Sequence, residues 1–318
     1  MNKSIICDLQ WGDSGKGRVS AYFCKDYEWS VRFNGGNNAG HTVYDNGGTE
    51  YKLHQLPAGA VFGKKIALDA GMVINIDELK KELSILKNPI DLYISKNVHI
   101  IRLNHLEKDA EGSGIGSTKR GIAYAYADRS LRKGQRIEDI QQELSKEISC
   151  TIYSGLPPFG NESALFESAQ GIMLDIDYGC YPYVTSSSIM PNMIHKIDRT
   201  IAVMKGYVTR VGEGPPYTLD IPELRERGNE YGATTGRPRK CTWLNLKDVD
   251  YALSIIQPDE IVVTKLDILE GMKVGIYDIG EKLNFFDNLD SYENFLLERF
   301  PKIKWFSKSA SGDLIKIR

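Results

Sequence analysis

Apolar positions along the chain cluster in short runs of two kinds, some continuous and some at helical spacing. Ser4-Ile5-Ile6-Cys7-Asp8-Leu9 is short and continuous, which predicts a buried strand. It runs directly into Gln10-Trp11-Gly12-Asp13-Ser14-Gly15-Lys16-Gly17, after which residues 18–27 can form a helix. Residues 76–88 place apolar side chains at helical spacing, with Asp77 as an acid near the N-terminus, and residues 137–148 predict a second amphipathic helix. Short strands are predicted at 98–101, 202–204 and 260–264. Strands alternating with helices imply an α/β fold. Its central, mostly parallel sheet would be flanked by helices, with a P-loop-like phosphate-binding loop at the N-terminus.

Between these runs lie clusters of glycine, proline and small polar residues at 34–42, 112–124, 179–188, 209–216 and 231–239. Long polar loops on a chain that otherwise has a core are either mobile surface or binding apparatus. No repeat, low-complexity tract or linker interrupts the pattern, so a single domain over 1–318 is expected. Composition narrows the class further. A net charge of −2 gives no reason to expect nucleic acid or an acidic membrane as partner. No run approaches the roughly 18 apolar residues of a membrane helix. The start of the chain turns polar too soon for a signal peptide. Five scattered cysteines without a CxxC pair suit a reduced compartment better than a disulfide framework or zinc site. A cytoplasmic location is expected.

The candidate chemistry begins in the first loop. A strand, then GDSGKG, then a helix lets backbone N–H groups face an anion, with the helix dipole and Lys16 adding positive charge. The match to GxxxxGK[ST] is imperfect: two residues separate Gly12 from Gly15, and Gly17 stands where Ser or Thr would bind magnesium. A plain glycine turn with a solvated lysine is the competing reading. Asp13 is the informative exception, because a carboxylate beside bound phosphates is repelled unless a metal intervenes or it must accept a proton.

Six blocks then occur in one order along nearly the whole chain: Gln10–Asp13 with Gly15–Gly17; Asn38-Ala39-Gly40-His41-Thr42; Gly116-Ser117-Thr118-Lys119-Arg120-Gly121; Ala169-Gln170-Gly171 with 174–177 and 181–187; Gly228–Arg237; and Thr264-Lys265-Leu266-Asp267. This set resembles the adenylosuccinate synthetase family. The resemblance implies a ligase that moves the γ-phosphoryl group of a nucleoside triphosphate to purine O6, after which the amine of L-aspartate displaces phosphate at C6. Asp13 would remove the N1 proton and bind Mg²⁺, with the Gly40 carbonyl completing the metal shell. His41 would act as acid or charge stabiliser, and Lys16 would supply positive charge. The family's nucleotide contacts match Thr118, Gln170, Thr185 and Arg237, with Ser14 and Asn38 as further candidates for the nucleotide, and Arg132 would reach the 5′-phosphate of a neighbouring subunit, so a homodimer is implied. The triphosphate would lie on Gly12, Gly15, Lys16, Gly17, Gly40, His41, Thr42, Lys265, Asp267 and Gly312. L-aspartate would be held by Gly232, Ala233, Thr234, Thr235, Arg237 and Arg239, whose guanidinium forks suit carboxylates.

Several of these residues also have plainer readings. His41 can be an exposed loop histidine, Arg132 part of a solvated basic face with Arg129, Lys133 and Arg136, and 232–239 a simple hairpin. TKLD looks like the guanine-reading tetrad of GTP-binding proteins, but a polar strand end explains it equally well. His54, His99, His105 and His195 read as structural.

Four departures from the family pattern bear on the substrate: Ser14 for Glu, Asn37 for His, residues 122–126 in place of a Gly-Pro stretch, and a tail at 309–313 without Gly-Pro. Ser14 adjoins Asp13, so it is expected near purine C2, where a smaller side chain opens space and its hydroxyl can accept from a 2-amino group. With the short chain, this resembles the bacteriophage branch of the family, the 2-aminoadenylosuccinate synthases, and would place the protein in a host cytoplasm. The leading substrate is therefore dGMP, with IMP as runner-up and ATP, dATP or GTP as donor. A regulatory GTP-binding switch is the competing class, but its two elements lie almost the full chain apart, the Ser or Thr after Lys16 is missing, and a switch needs no carboxylate-binding loop.

Overall fold

The computed structural model describes residues 2–112, 117–190, 195–216, 219–232, 236–309 and 313–317. Ten strands form one sheet. From one edge they run Ile315–Lys316, Ile303–Phe306, Glu260–Thr264, Arg199–Lys205, Lys3–Asp8, Ala164–Glu167, Trp29–Arg32, Lys65–Leu68, Leu92–Ser95 and Thr151–Tyr153. Every pairing is parallel except the one that adds Ile315–Lys316 at the edge. The fold is therefore the expected α/β sheet flanked by helices. Central strands are buried on both faces: Ser4 to Asp8, Ala164 to Glu167 and Glu260 to Thr264 are inaccessible throughout. That explains why they read as continuous rather than alternating apolar runs.

Lys3–Asp8 sits mid-sheet. The chain builds strands on one side of it (29–32, 65–68, 92–95) and later on the other (199–205, 260–264, 303–306). Its C-terminal end is thus near a switch of strand order, where open α/β sheets place their ligands. A second sheet of four strands, Tyr207–Arg210, Lys240–Asn245, Val274–Tyr277 and Leu283–Phe286, continues from the end of Arg199–Lys205. Helices Leu246–Ile256 and Leu289–Arg299 lay Val249, Ala252, Ile256, Tyr292 and Leu296 on the core shared by the two sheets.

Local differences from the sequence reading have identifiable causes. The helix predicted at 18–27 begins at Lys16 and ends at Phe23, then tightens into a 3₁₀ turn over Cys24–Asp26. Residues 76–88 form a helix only over Ile76–Ser84, capped by Asn75, which accepts from Glu78 N–H at 3.0 Å. Residues 137–148 divide into a 3₁₀ turn, Ile137–Ile140, and a helix, Gln141–Glu147. Of residues 98–101 only His99–Ile100 pair, in a small ladder with Val73–Ile74 outside the main sheet. Ile122–Ser130, whose first turn falls inside an expected loop, is a helix that buries Ile122, Ala125 and Tyr126. Among the described residues no helix is long and apolar enough to cross a membrane.

Candidate active site

The C-terminal ends of the central strands supply most of the site. After Asp8 the chain turns through Gly12 and Gly15, both at positive φ, into the helix Lys16–Phe23. Asp13 also has φ 57°, a left-handed conformation that short acidic residues tolerate better than most. Asp8, fully buried, organises the turn: its carboxylate accepts from Gln10 N–H at 2.8 Å, Ser14 Oγ at 3.0 Å and Lys16 Nζ at 3.0 Å. Gly171 closes the back of the loop. A Cβ there would stand 2.4 Å from the Gln10 carbonyl oxygen and 2.6 Å from Gly12 N. Thr264 fastens the front by donating to the Ser14 carbonyl at 2.7 Å.

Ser14 requires a correction. It is fully buried, and its hydroxyl donates inward, within 3.0 Å of both Asp8 Oδ1 and Gln10 Oε1. It is not turned to the open face as an acceptor for a purine 2-amino group, because the buried Asp8 carboxylate is the stronger partner.

Gly17 has a role other than that of the missing Ser or Thr. A Cβ at this position would lie 2.9 Å from His41 Cβ and 3.1 Å from His41 Cγ, so glycine lets the first helix meet His41. We expect Gly17→Ala to displace His41 and cut turnover at least about tenfold while shifting the melting temperature by only a few degrees. Steady-state kinetics and thermal melts on the same sample check this.

His41 itself is not a free loop histidine. It begins the strand His41–Tyr44, and its Nδ1 lies 2.6 Å from Glu167 Oε1, while Nε2 faces the Leu56 carbonyl at 3.2 Å. Both ring nitrogens thus face an oxygen of the protein, which fixes the plane and direction of the ring. Glu167 ends the strand Ala164–Glu167, fully buried, and also accepts from Arg32 NH1 at 2.9 Å and Ala58 N–H at 3.0 Å. Burial alone would raise its pKa; His41, Arg32 and the Ala58 amide overcome that and hold it down at about 2.

Opposite the loop, Arg239 Nε lies 3.2 Å from Asp13 Oδ2, and its NH1 lies 2.5 Å from Glu230 Oε2. Gln170 sits at φ 56° above Gly12, and its buried Oε1 has no hydrogen-bond partner among the described residues. Lys265, like Asp13 and Gln170, has left-handed backbone, a sparsely populated conformation for a non-glycine residue. Lys265 donates to the Gly228 carbonyl at 3.1 Å, and Asp267 acts electrostatically on the half-buried Arg18, whose pKa is lowered by its burial.

The structure thus brings together Gly12, Asp13, Gly15, Lys16, Gly17, His41, Gln170, Arg239 and Lys265. Asn38 lies on the same 34–42 segment, where it accepts from Gly36 N–H, and Gly40 and Thr42 flank His41. Thr185 lies on a neighbouring loop tied to Leu174. Arg237 is exposed, and its carbonyl accepts from Gly232 N–H at 2.8 Å. Thr118 and Arg132 are exposed, and no described contact joins either to the phosphate loop. Ala233, Thr234, Thr235, Gly312 and Gly116 lie outside the described residues. The sequence reading missed Asp8, Glu167 and Glu230. A buried acid at the C-terminal end of an apolar strand was the available signal for the first two.

The adenylosuccinate synthetase family model matches residues 5–154 and 159–284. The adenylosuccinate synthetase of Thermosipho africanus is 35% identical over 382 aligned positions, covering 96% of this chain and 94% of that one. That span exceeds the 318 residues here, so the relative carries insertions this chain lacks. The fully ligated adenylosuccinate synthetase of Plasmodium falciparum superposes with a TM-score of 0.87 at 26% identity, over 100% of both chains. The cyanophage S-2L succinoaminodeoxyadenylate synthetase, bound to dGMP and dATP, gives 0.81 over 99% of this chain and 95% of that one. At 21% identity it shows a common fold. With the phosphate loop, the His41–Glu167 pair and the Arg239–Asp13 contact in place, the chain belongs to the adenylosuccinate synthetase family of ligases, which form a carbon–nitrogen bond at the expense of a nucleoside triphosphate.

Proposed function

We propose that this protein joins L-aspartate to C6 of a 6-oxopurine nucleoside monophosphate. The observation that carries the reading is the contact of Arg239 with Asp13, which sets an arginine suited to an amino-acid carboxylate against the acid of a phosphate loop. Asp13 is part-exposed, with its carboxylate at the mouth of the loop. There it can take a proton from purine N1 and leave O6 as the nucleophile. His41, held by Glu167, would act as acid or charge stabiliser where the γ-phosphoryl group passes, and Lys16 would add positive charge once it turns from Asp8 toward phosphate. Thr118, Thr185, Gln170, Asn38 and Arg237 would hold the monophosphate, and Arg132 would act across a homodimer.

Mg²⁺ fits the donor set. Among the described residues no cluster of three His, Cys, Asp or Glu forms a closed cage, and a magnesium ion needs only one or two carboxylates beside phosphate oxygens. Asp13 and the Gly40 carbonyl would hold it, and it would neutralise the triphosphate.

For the substrate we take dGMP first and IMP second. The supports are the small residue at position 14 and the short chain; the fold is shared with a dGMP-bound phage enzyme and with the Plasmodium falciparum adenylosuccinate synthetase alike. The inward Ser14 hydroxyl leaves only the space argument in force. The donor would be ATP, dATP or GTP. The test supplies L-aspartate, Mg²⁺ and each donor, with dGMP, GMP and IMP compared by mass spectrometry of the adduct. We expect the succinyl adduct of dGMP. Phosphate release indifferent to L-aspartate would reject the ligase in favour of a nucleotide switch, and an adduct from IMP alone would reject dGMP.

A further inference from the structure

Glu230 is a fully buried carboxylate with no role in the reaction described above. It follows the helix Pro222–Gly228 and meets residues from three other segments. Its Oε1 accepts from Lys205 Nζ at 2.8 Å and Tyr207 OH at 2.6 Å, with Lys265 Nζ 3.7 Å away. Its Oε2 lies 2.5 Å from Arg239 NH1, and its backbone carbonyl accepts from Arg239 N–H at 2.9 Å. Lys205 is as buried as Glu230, and its remaining described bond is to Thr209 Oγ1 at 2.6 Å.

A buried ion pair needs one partner for each charge, and Lys205 meets that need for Glu230. The second oxygen is instead spent on Arg239, whose Nε faces Asp13. An arginine has several χ angles, and holding one end of its fork on a buried carboxylate fixes where the other end points. Lys265 is drawn to the same carboxylate from the far side of the site. We propose that Glu230 is a positioning residue: it sets the reach of Arg239 toward Asp13 and the incoming L-aspartate. It also links the Lys265 end of the crevice to the aspartate end. This rests on the ligase reading above.

The test is kinetic. Glu230→Gln keeps the volume but removes the charge that anchors Arg239. It is expected to raise KM for L-aspartate about tenfold or more, the weight of one charge-assisted hydrogen bond, while KM for the purine nucleotide changes less than about twofold. Because the single variant strands Lys205 without a counter-charge, the double variant Lys205→Met with Glu230→Gln is measured beside it. Removing both charges together is tolerated better than removing one, so the double variant should recover melting temperature and keep the raised KM for L-aspartate. An active, folded double variant with a normal KM for L-aspartate overturns the positioning role alone. A wild-type protein that shows no aspartate-dependent phosphate release overturns both this role and the reaction.

Discussion

Replacing Asp13 by asparagine is expected to lower turnover by about 10³-fold or more, with little change in melting temperature. Asparagine is nearly the same size and shares the tolerance for left-handed backbone, so φ 57° at this position survives the change. What disappears is the ability to accept a proton, together with the anionic ligand for a cation. General-base removal costs about 10²–10⁴-fold by itself, and loss of metal affinity adds to that. The part-exposed position and the contact to Arg239 leave the core untouched, so a stability loss is not expected. Alanine is the poorer probe, since it adds backbone strain of about 1 kcal/mol or more at positive φ. Single-turnover assays at saturating substrates measure the chemical step. A D13N protein that retains full turnover would remove Asp13 from the mechanism.

The largest stability effect is expected at Glu167. Arg32 NH1, His41 Nδ1 and the Ala58 amide all converge on it in a site without solvent access. Glu167→Ala leaves a buried guanidinium without its counter-charge, which costs about 3–5 kcal/mol. A melting point lower by roughly 10 °C is the corresponding scale for a chain of this size. Glu167→Gln keeps the shape and separates charge from packing. It should melt between wild type and Glu167→Ala, and it should lose activity because His41 loses the carboxylate that fixes the position of its ring. The pH dependence has a definite sign. The folded pKa is held at about 2, below the ordinary 4.5, so the stabilisation is fully present above about 4.5 and disappears as pH falls toward 2. Glu230 is held at about 2 by Lys205, Lys265 and Arg239 against the effect of its own burial, and it adds to the same acid limb. Denaturant midpoints from pH 6 down to 3 should fall for wild type and fall less for Glu167→Gln. Parallel curves would show that Glu167 is not the titrating group.

The amino-acid pattern by itself determined the class of fold, the strand-loop-helix at the N-terminus and the chemical character of the loop. Strand burial, glycine placement and the presence of Asp13 and Lys16 in one glycine-rich loop are written into windows of a few residues. The Glu260–Thr264 strand was read to the residue, because burial on both faces leaves a continuous apolar run. Residues 137–148 were read as one helix because periodicity does not see the break at Ile140. The roles of Ser14 and Gly17 were decided elsewhere. Whether the Ser14 hydroxyl points outward depends on Asp8 being buried beneath it, and the need for glycine at 17 depends on His41 arriving from another segment. Glu167 and Glu230 looked like ordinary acids in sequence, since their partners come from strands and loops far along the chain. Sheet order alone sets Arg32 beside Glu167, and only the second sheet brings Arg239 over Asp13. A local pattern records which way a side chain faces. The low-dielectric meeting of distant charges is a property of the assembled sheet.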